Sequence, residues 1–247
     1  MPSFSPALLV EGRRLPGTPE TLRRLIRALD VQPGERVLLI GGGGGTAFPL
    51  LANEARAKVT ALEWEPGFVA ACEARARDAS LAGKVVVHQG DLTAVQGQSF
   101  ESVLLDALPP HGELSAFAGQ VRELLVANGR LGMTLPAAIG LNTAPEVAAF
   151  WAEELGMPLA RPVALLSLLE RAGFEPQWAE ALADEVLTEH YRLLGDVLGT
   201  AEAKLADRAR AAIEHFKGAG RTGSSYAMLV ARRREPGEKP PPARTAG

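Results

Sequence analysis

Cysteine is almost missing from this chain. Cys72 is the only one in 247 residues, so no intrachain disulfide and no cysteine-built metal cluster can form. On a helical stretch it reads as a small buried apolar residue ahead of a reactive thiol. Long apolar runs are missing as well. No segment reaches the roughly 20 apolar residues that a bilayer-spanning helix requires. Met1 to Val10 has neither the basic start nor the extended apolar stretch of a signal peptide. Cytoplasmic residence is the default expectation. Nor is there an excess of one charge: 26 Lys and Arg against 29 Asp and Glu leave −3. That balance lacks the positive field that gathers phosphate backbones, so nucleic acid is not an expected partner. No internal repeat is present.

What the chain does contain is ordinary globular material, 47% hydrophobic and 22% charged, enough for a buried sheet under a wet surface. Thr18-Pro19-Glu20 combines a capping hydroxyl, a proline suited to the first helical position and a first-turn acid. A helix is expected from there to about Asp30, ended by Pro33-Gly34. Val37 to Ile40 is a short apolar run bounded by turn residues, the pattern of a strand covered on both faces. Val59 to Leu62, Val85 to His88, Val103 to Leu105 and Arg130 to Leu135 repeat it. Between them lie helix-period stretches at Thr46 to Arg56, Gly67 to Ala79 and Leu114 to Ala127, so a parallel α/β sheet is expected. Beyond Pro136, helices are expected at Pro145 to Leu155, Pro162 to Ala172, Glu185 to Leu198 and Ala201 to Lys217. A sixth strand is expected at Glu175 to Ala183 and a seventh at Ser225 to Arg232. Arg232-Arg233-Arg234 followed by Pro240-Pro241-Pro242 reads as a solvated tail.

Five consecutive glycines, Gly41 to Gly45, follow the first strand and lead into a helix. Without side chains the turn can take positive φ, and a ligand can lie against main-chain N–H groups near a positive helix end. A dinucleotide fingerprint G-x-G-x-x-G fails in every register, falling on Thr46, Ala47 or Phe48. G-x-G-x-G across Gly41, Gly43 and Gly45 does fit. Glu63 ends the second strand at the distance from the glycines where such folds offer an acid to ribose hydroxyls. Trp64 follows, able to pack beside an adenine or to cap the core edge. Gln89-Gly90-Asp91-Leu92 follows the third strand, Phe100-Glu101 opens the fourth, and Asn128-Gly129 precedes the fifth.

In this order the landmarks resemble class I S-adenosylmethionine-dependent methyltransferases, of the type that acts on small molecules. The resemblance implies S-adenosylmethionine as cofactor, held by Gly41, Gly43, Gly45, Glu63, Trp64, Asp91 and Leu92. Asp91 would accept from the adenine amino group, and the Leu92 N–H would face a ring nitrogen. It also implies a doubly wound, mainly parallel seven-stranded sheet with an antiparallel last strand and a helical insertion before that strand. The expected division is an N-terminal helical segment over 1–35, a methyltransferase domain over 36–234 with a helical cover at 184–222, and a flexible tail over 235–247.

The family's acid at the end of the first strand is here Leu39, which leaves weakened cofactor binding, compensation from elsewhere or a degenerate protein open. Asp106 and His111, in the loop after the fourth strand, are the catalytic candidates. An exposed loop histidine is the plainer account of His111. His190 and Tyr191 on the cover are candidate contacts to a small-molecule acceptor, with packed core the alternative. The expected activity is methyl transfer. A non-catalytic S-adenosylmethionine-binding protein and an NAD-dependent oxidoreductase are the competing classes.

Overall fold

Thr18 caps the first helix reciprocally with Thr21: each backbone N–H donates to the other's hydroxyl, and Pro19 opens α1 (Pro19–Ala28). The computed structural model describes residues 10–108, 114–139, 143–198, 203–220, 223–235 and 237–238. His111 and the end of the tail lie outside them. After α1 come β1 (Arg36–Ile40), β2 (Lys58–Glu63), α2 (Pro66–Ala76), β3 (Val85–Gln89), β4 (Phe100–Leu105), α3 (Leu114–Leu124) and β5 (Leu125–Ala138). The chain continues through α4 (Pro145–Leu155), α5 (Pro162–Arg171), β6 (Phe174–Ala181), α6 (Asp184–Val197), α7 (Ala203–His215) and β7 (Ser224–Arg233).

The seven strands form one sheet in the order β3-β2-β1-β4-β5-β7-β6. The first five are parallel, and β7 runs antiparallel between β5 and β6. β1 is buried on both faces, as its unbroken apolar run requires. Val37 and Leu39 join a core with Leu22 and Leu25 of α1, Cys72 of α2, Trp151 of α4, Leu187 of α6 and Ile213 of α7. Leu38 and Ile40 face the opposite core, built with Phe117 and Val121 of α3 and Leu165 and Leu169 of α5.

Two elements depart from the periodicity. The helix expected over Thr46 to Arg56 is wound as a π-helical segment, Pro49–Glu54. The wider turn closes with the Ala55 N–H donating to the Leu50 carbonyl at 2.9 Å. β5 runs well past both ends of Arg130 to Leu135, and Pro136 lies inside it. β4 ends at Leu105 opposite Met133, so beyond that pair β5 has β7 on one flank and no strand on the other. That is the edge condition under which a strand admits proline.

Candidate functional site

Three neighbouring strands end along one edge of the sheet. β1 leads into Gly41–Gly45, β2 ends on Glu63, and β3 hands over to Gly90-Asp91-Leu92. Main-chain bonds lock these ends together: the Gly41 N–H donates to the Leu62 carbonyl and the Gly90 N–H to the Glu63 carbonyl, both at 2.9 Å. On the other side of β1, the Asp106 N–H donates to the Ile40 carbonyl at 2.9 Å.

Gly41, Gly43 and Gly45 take φ of 77°, 55° and 79°. At Gly41 a Cβ would lie 2.3 Å from the Ala107 methyl, so both backbone and space exclude a side chain. Leu39, standing where the resemblance calls for an acid, is fully buried, with its Cδ2 lying under Gly42. The Cys72 thiol donates to the Gly43 carbonyl at 3.2 Å. Burial pushes its pKa up to about 12, so it is a thiol, not a thiolate, at neutral pH.

Glu63 is completely buried. Its Oε1 accepts the Trp64 N–H at 2.9 Å and the Glu65 N–H at 3.2 Å, and its Oε2 accepts the Gly43 N–H at 3.3 Å. Arg14 Nη2 also donates to Oε1, at 2.6 Å. The guanidinium carbon of Arg14 lies 3.9 Å from the Phe68 ring centre and 4.8 Å from that of Trp64, within cation–π range. Burial pushes the Glu63 pKa up, against the pull of Arg14 and the three N–H donors. Burial likewise lowers the Arg14 pKa, against Glu63. Both partners therefore feel the loss of water more than they feel each other.

Asp91 is exposed. Its Oδ1 accepts the Thr93 hydroxyl at 2.6 Å and the Thr93 N–H at 2.9 Å, capping the 3₁₀ turn Leu92–Val95. The Thr93 hydroxyl, then the N–H, holds the Asp91 pKa below the usual carboxylate range. Trp64 and Leu92 are half-buried against the same core.

Sequence reasoning missed two residues here, Arg13 and Arg14. Both belong to a strap, residues 10–17, that precedes α1 and lies across the glycine bend. Its tip is a turn in which Val10 and Arg13 exchange main-chain hydrogen bonds at 3.2 and 2.9 Å. Glu11 and Gly12 between them have φ of 50° and 76°, the positive values that primed turns need. The Gly44 N–H donates to the Gly12 carbonyl at 2.8 Å, and the Thr46 hydroxyl to the Glu11 carbonyl at 2.6 Å. The available signal was two adjacent arginines set between Gly12 and Gly17.

Arg13 grips Asp106 with two prongs, Nη2 on Oδ1 and Nε on Oδ2, the latter at 3.3 Å. Both side chains are buried. His190 of α6 is close enough for the Arg13 charge to bear on it: burial first, then Arg13, lowers its pKa to about 4. Among the described residues, Arg13 Nη1 and His190 Nδ1 are buried without a hydrogen-bond partner. Tyr191 faces elsewhere. Its ring stacks on Phe216 at 4.3 Å and its hydroxyl shares a hydrogen bond with Tyr226, while burial pushes its pKa up to about 12. Trp151, Leu187, Tyr191, His215, Phe216 and Tyr226 enclose a void of about 10 Å³, room for one water. The structure thus pairs Asp106 with Arg13, whose charge also bears on His190, and packs Tyr191 among aromatics.

No family model and no curated protein matches the sequence. Solved structures do match in fold. A SAM-dependent methyltransferase from Thiobacillus denitrificans, in complex with S-adenosyl-L-homocysteine, superposes with a TM-score of 0.77 at 19% identity, covering 93% of this chain and 97% of that one. A SAM-dependent methyltransferase from Geobacter sulfurreducens, also with S-adenosyl-L-homocysteine, gives 0.77 at 18%, covering 95% and 100%. The [4+2]-cyclase SpnF gives 0.71 at 18%, covering 88% and 81%. At these identities the likeness establishes the fold, a seven-stranded mixed sheet with helices on both faces.

Proposed function

We propose that this chain binds S-adenosylmethionine along the edge formed by β1, β2 and β3 and transfers its methyl group to a small-molecule acceptor. The observation that carries the reading is the adjacency of Gly41–Gly45, Glu63 and Gly90–Leu92 at the ends of three neighbouring strands, the rim where open α/β folds take ligands.

The residues fit the cofactor. Glu63 offers a carboxylate to the ribose hydroxyls, with Gly43 already donating to it. Without side chains the bend lets a ligand approach its backbone, and on this reading Trp64, Asp91 and Leu92 take the adenine. When bound, the methyl sulfonium supplies an already activated electrophile. The protein's own task is then to orient the acceptor and exclude water. Asp106 stands at the crevice but is committed to Arg13, so service as a base requires that pair to open. His190, with a pKa of about 4, stays neutral at physiological pH and is a weak proton acceptor. Alignment is thereby the main contribution of this crevice. His111 remains a catalytic candidate of the loop after β4. On this reading the helices between β6 and β7 cover the acceptor. Among the described residues no helix is long and apolar enough to cross a membrane.

Leu39 beneath the bend and the closed Arg13–Asp106 pair favour one alternative, a cofactor-binding protein without turnover. Titration calorimetry with S-adenosylmethionine, S-adenosylhomocysteine and NAD tests the cofactor. Binding of the first two, and not NAD, is expected. Labelled methyl from S-adenosylmethionine, followed into metabolite pools, tests transfer. Tight binding without any labelled product would favour the alternative.

A further inference from the structure

We propose that the strap over residues 10–17 is a latch occupying the cofactor cleft, with Arg14 holding Glu63 where the ribose hydroxyls belong, so that S-adenosylmethionine enters by displacing it. This rests on the cofactor reading above.

Four contacts join strap and cleft, two of them at groups that the cofactor reading needs, Glu63 and Trp64. Arg14 uses the Glu63 carboxylate at 2.6 Å. Its guanidinium lies over Phe68 and Trp64, the flat apolar surface beside which an adenine would pack. The Gly12 carbonyl takes the Gly44 N–H of the bend, and the Glu11 carbonyl takes the Thr46 hydroxyl just after it. Gly12 permits this approach, because a Cβ there would meet Thr46 Oγ1 at 2.4 Å. A guanidinium donating to a carboxylate from an aromatic surface uses the same acceptor as a sugar diol with a stacked purine. The two occupants are mutually exclusive at Oε1.

The latch is built to be exchanged. Burial disfavours the charged forms of both Arg14 and Glu63, and a buried ion pair can cost as much in lost hydration as it returns in attraction. Arg14 Nε, moreover, is buried without a partner. The Arg13–Asp106 grip is separate from Glu63, so Arg14 can swing out while the strap stays tethered at its neighbour.

The test compares the wild-type chain with Arg14→Gln, which removes the cation, and Thr46→Val, which loosens the strap tip without touching Glu63. S-adenosylhomocysteine binding is measured by calorimetry and stopped-flow Trp fluorescence, and amide hydrogen exchange is read over 41–46 without ligand. Both substitutions are expected to tighten binding, by about tenfold for Arg14→Gln if the open form is about a tenth of the wild-type population. The wild-type association rate should level off at high ligand, limited by latch opening, while that of Arg14→Gln keeps rising. Gly44 exchange should quicken in both variants. Equal or weaker binding by the variants, with wild-type binding intact, overturns the latch and leaves the cofactor reading standing. No binding by any of the three proteins removes the cofactor reading and the latch with it.

Discussion

Glu63 accepts from four donors at once, three of them main-chain N–H groups and the fourth a side chain that competes with a ligand. Its worth to the cofactor is therefore best measured where that competitor is gone. In an Arg14→Gln background, Glu63→Ala should weaken S-adenosylhomocysteine binding by about 1.5–3 kcal/mol, the value of a hydrogen bond to a charged group. Calorimetry reads it, and an unchanged affinity takes Glu63 out of the site. Gly41→Ala tests the bend itself. A positive φ of 77° and a Cβ placed 2.3 Å from Ala107 together predict a loss of about 2–4 kcal/mol in urea unfolding. A loss under about 1 kcal/mol would mean that the bend can relax. Glu63 and the glycines were legible because each ends or follows a strand whose apolar run marks it. Arg13 and Arg14 were not: their partners lie 93 and 49 positions away, and no local period carries such a pairing.

At the scale of elements, α1 shows how directly local chemistry can be read. Thr18 and Thr21 close a reciprocal cap, and Thr18→Ala should cost about 1 kcal/mol, seen as a lower urea midpoint at unchanged slope. Strands β1 to β3 could be read from sequence to within a residue, and β4 to within three at its start, since buried strands carry uninterrupted apolar runs. Two elements resisted. The segment after the bend keeps a helical apolar spacing, but its turns close over five residues, a widening that apolar spacing does not show. The length of β5 is set by its partner: nine register pairs with β7, from Arg130 opposite Arg232 to Ala138 opposite Ser224, hold it extended past Pro136. Long-range pairing of this kind is invisible to a window of neighbouring residues.

Over the whole molecule, the order β3-β2-β1-β4-β5-β7-β6 follows from crossover helices between parallel strands and an antiparallel insertion at the end. The alternation of apolar runs and helical stretches marked the parallel part of that architecture, while the antiparallel last strand was an expectation from the methyltransferase resemblance. His190, buried on α6, gives global stability a pH signature. His190 has its pKa lowered from 6.5 to about 4. A depressed folded-state pKa contributes stability that is present above pH 6.5 and is lost as pH falls toward 4. The expected decline attributable to His190 is about 3 kcal/mol. Glu63, with its pKa raised by burial, works in the opposite sense: its contribution is present below pH 4.5 and fades as pH rises through its folded-state value. Comparing urea unfolding of the wild type and His190→Gln at pH 7 and pH 4.5 separates the two. The difference between the proteins should shrink at the lower pH, and a constant difference would place His190 in a wetter setting.

The thiol of Cys72, hydrogen-bonded to Gly43 from below, gives the molecule a reporter that needs no engineering. With one sulfhydryl in the chain, a maleimide can attach only once, and only while the floor of the bend has lifted away. The pace at which intact mass rises by a single adduct is thus a clock for that breathing motion, slowed by any ligand that pins the bend in place.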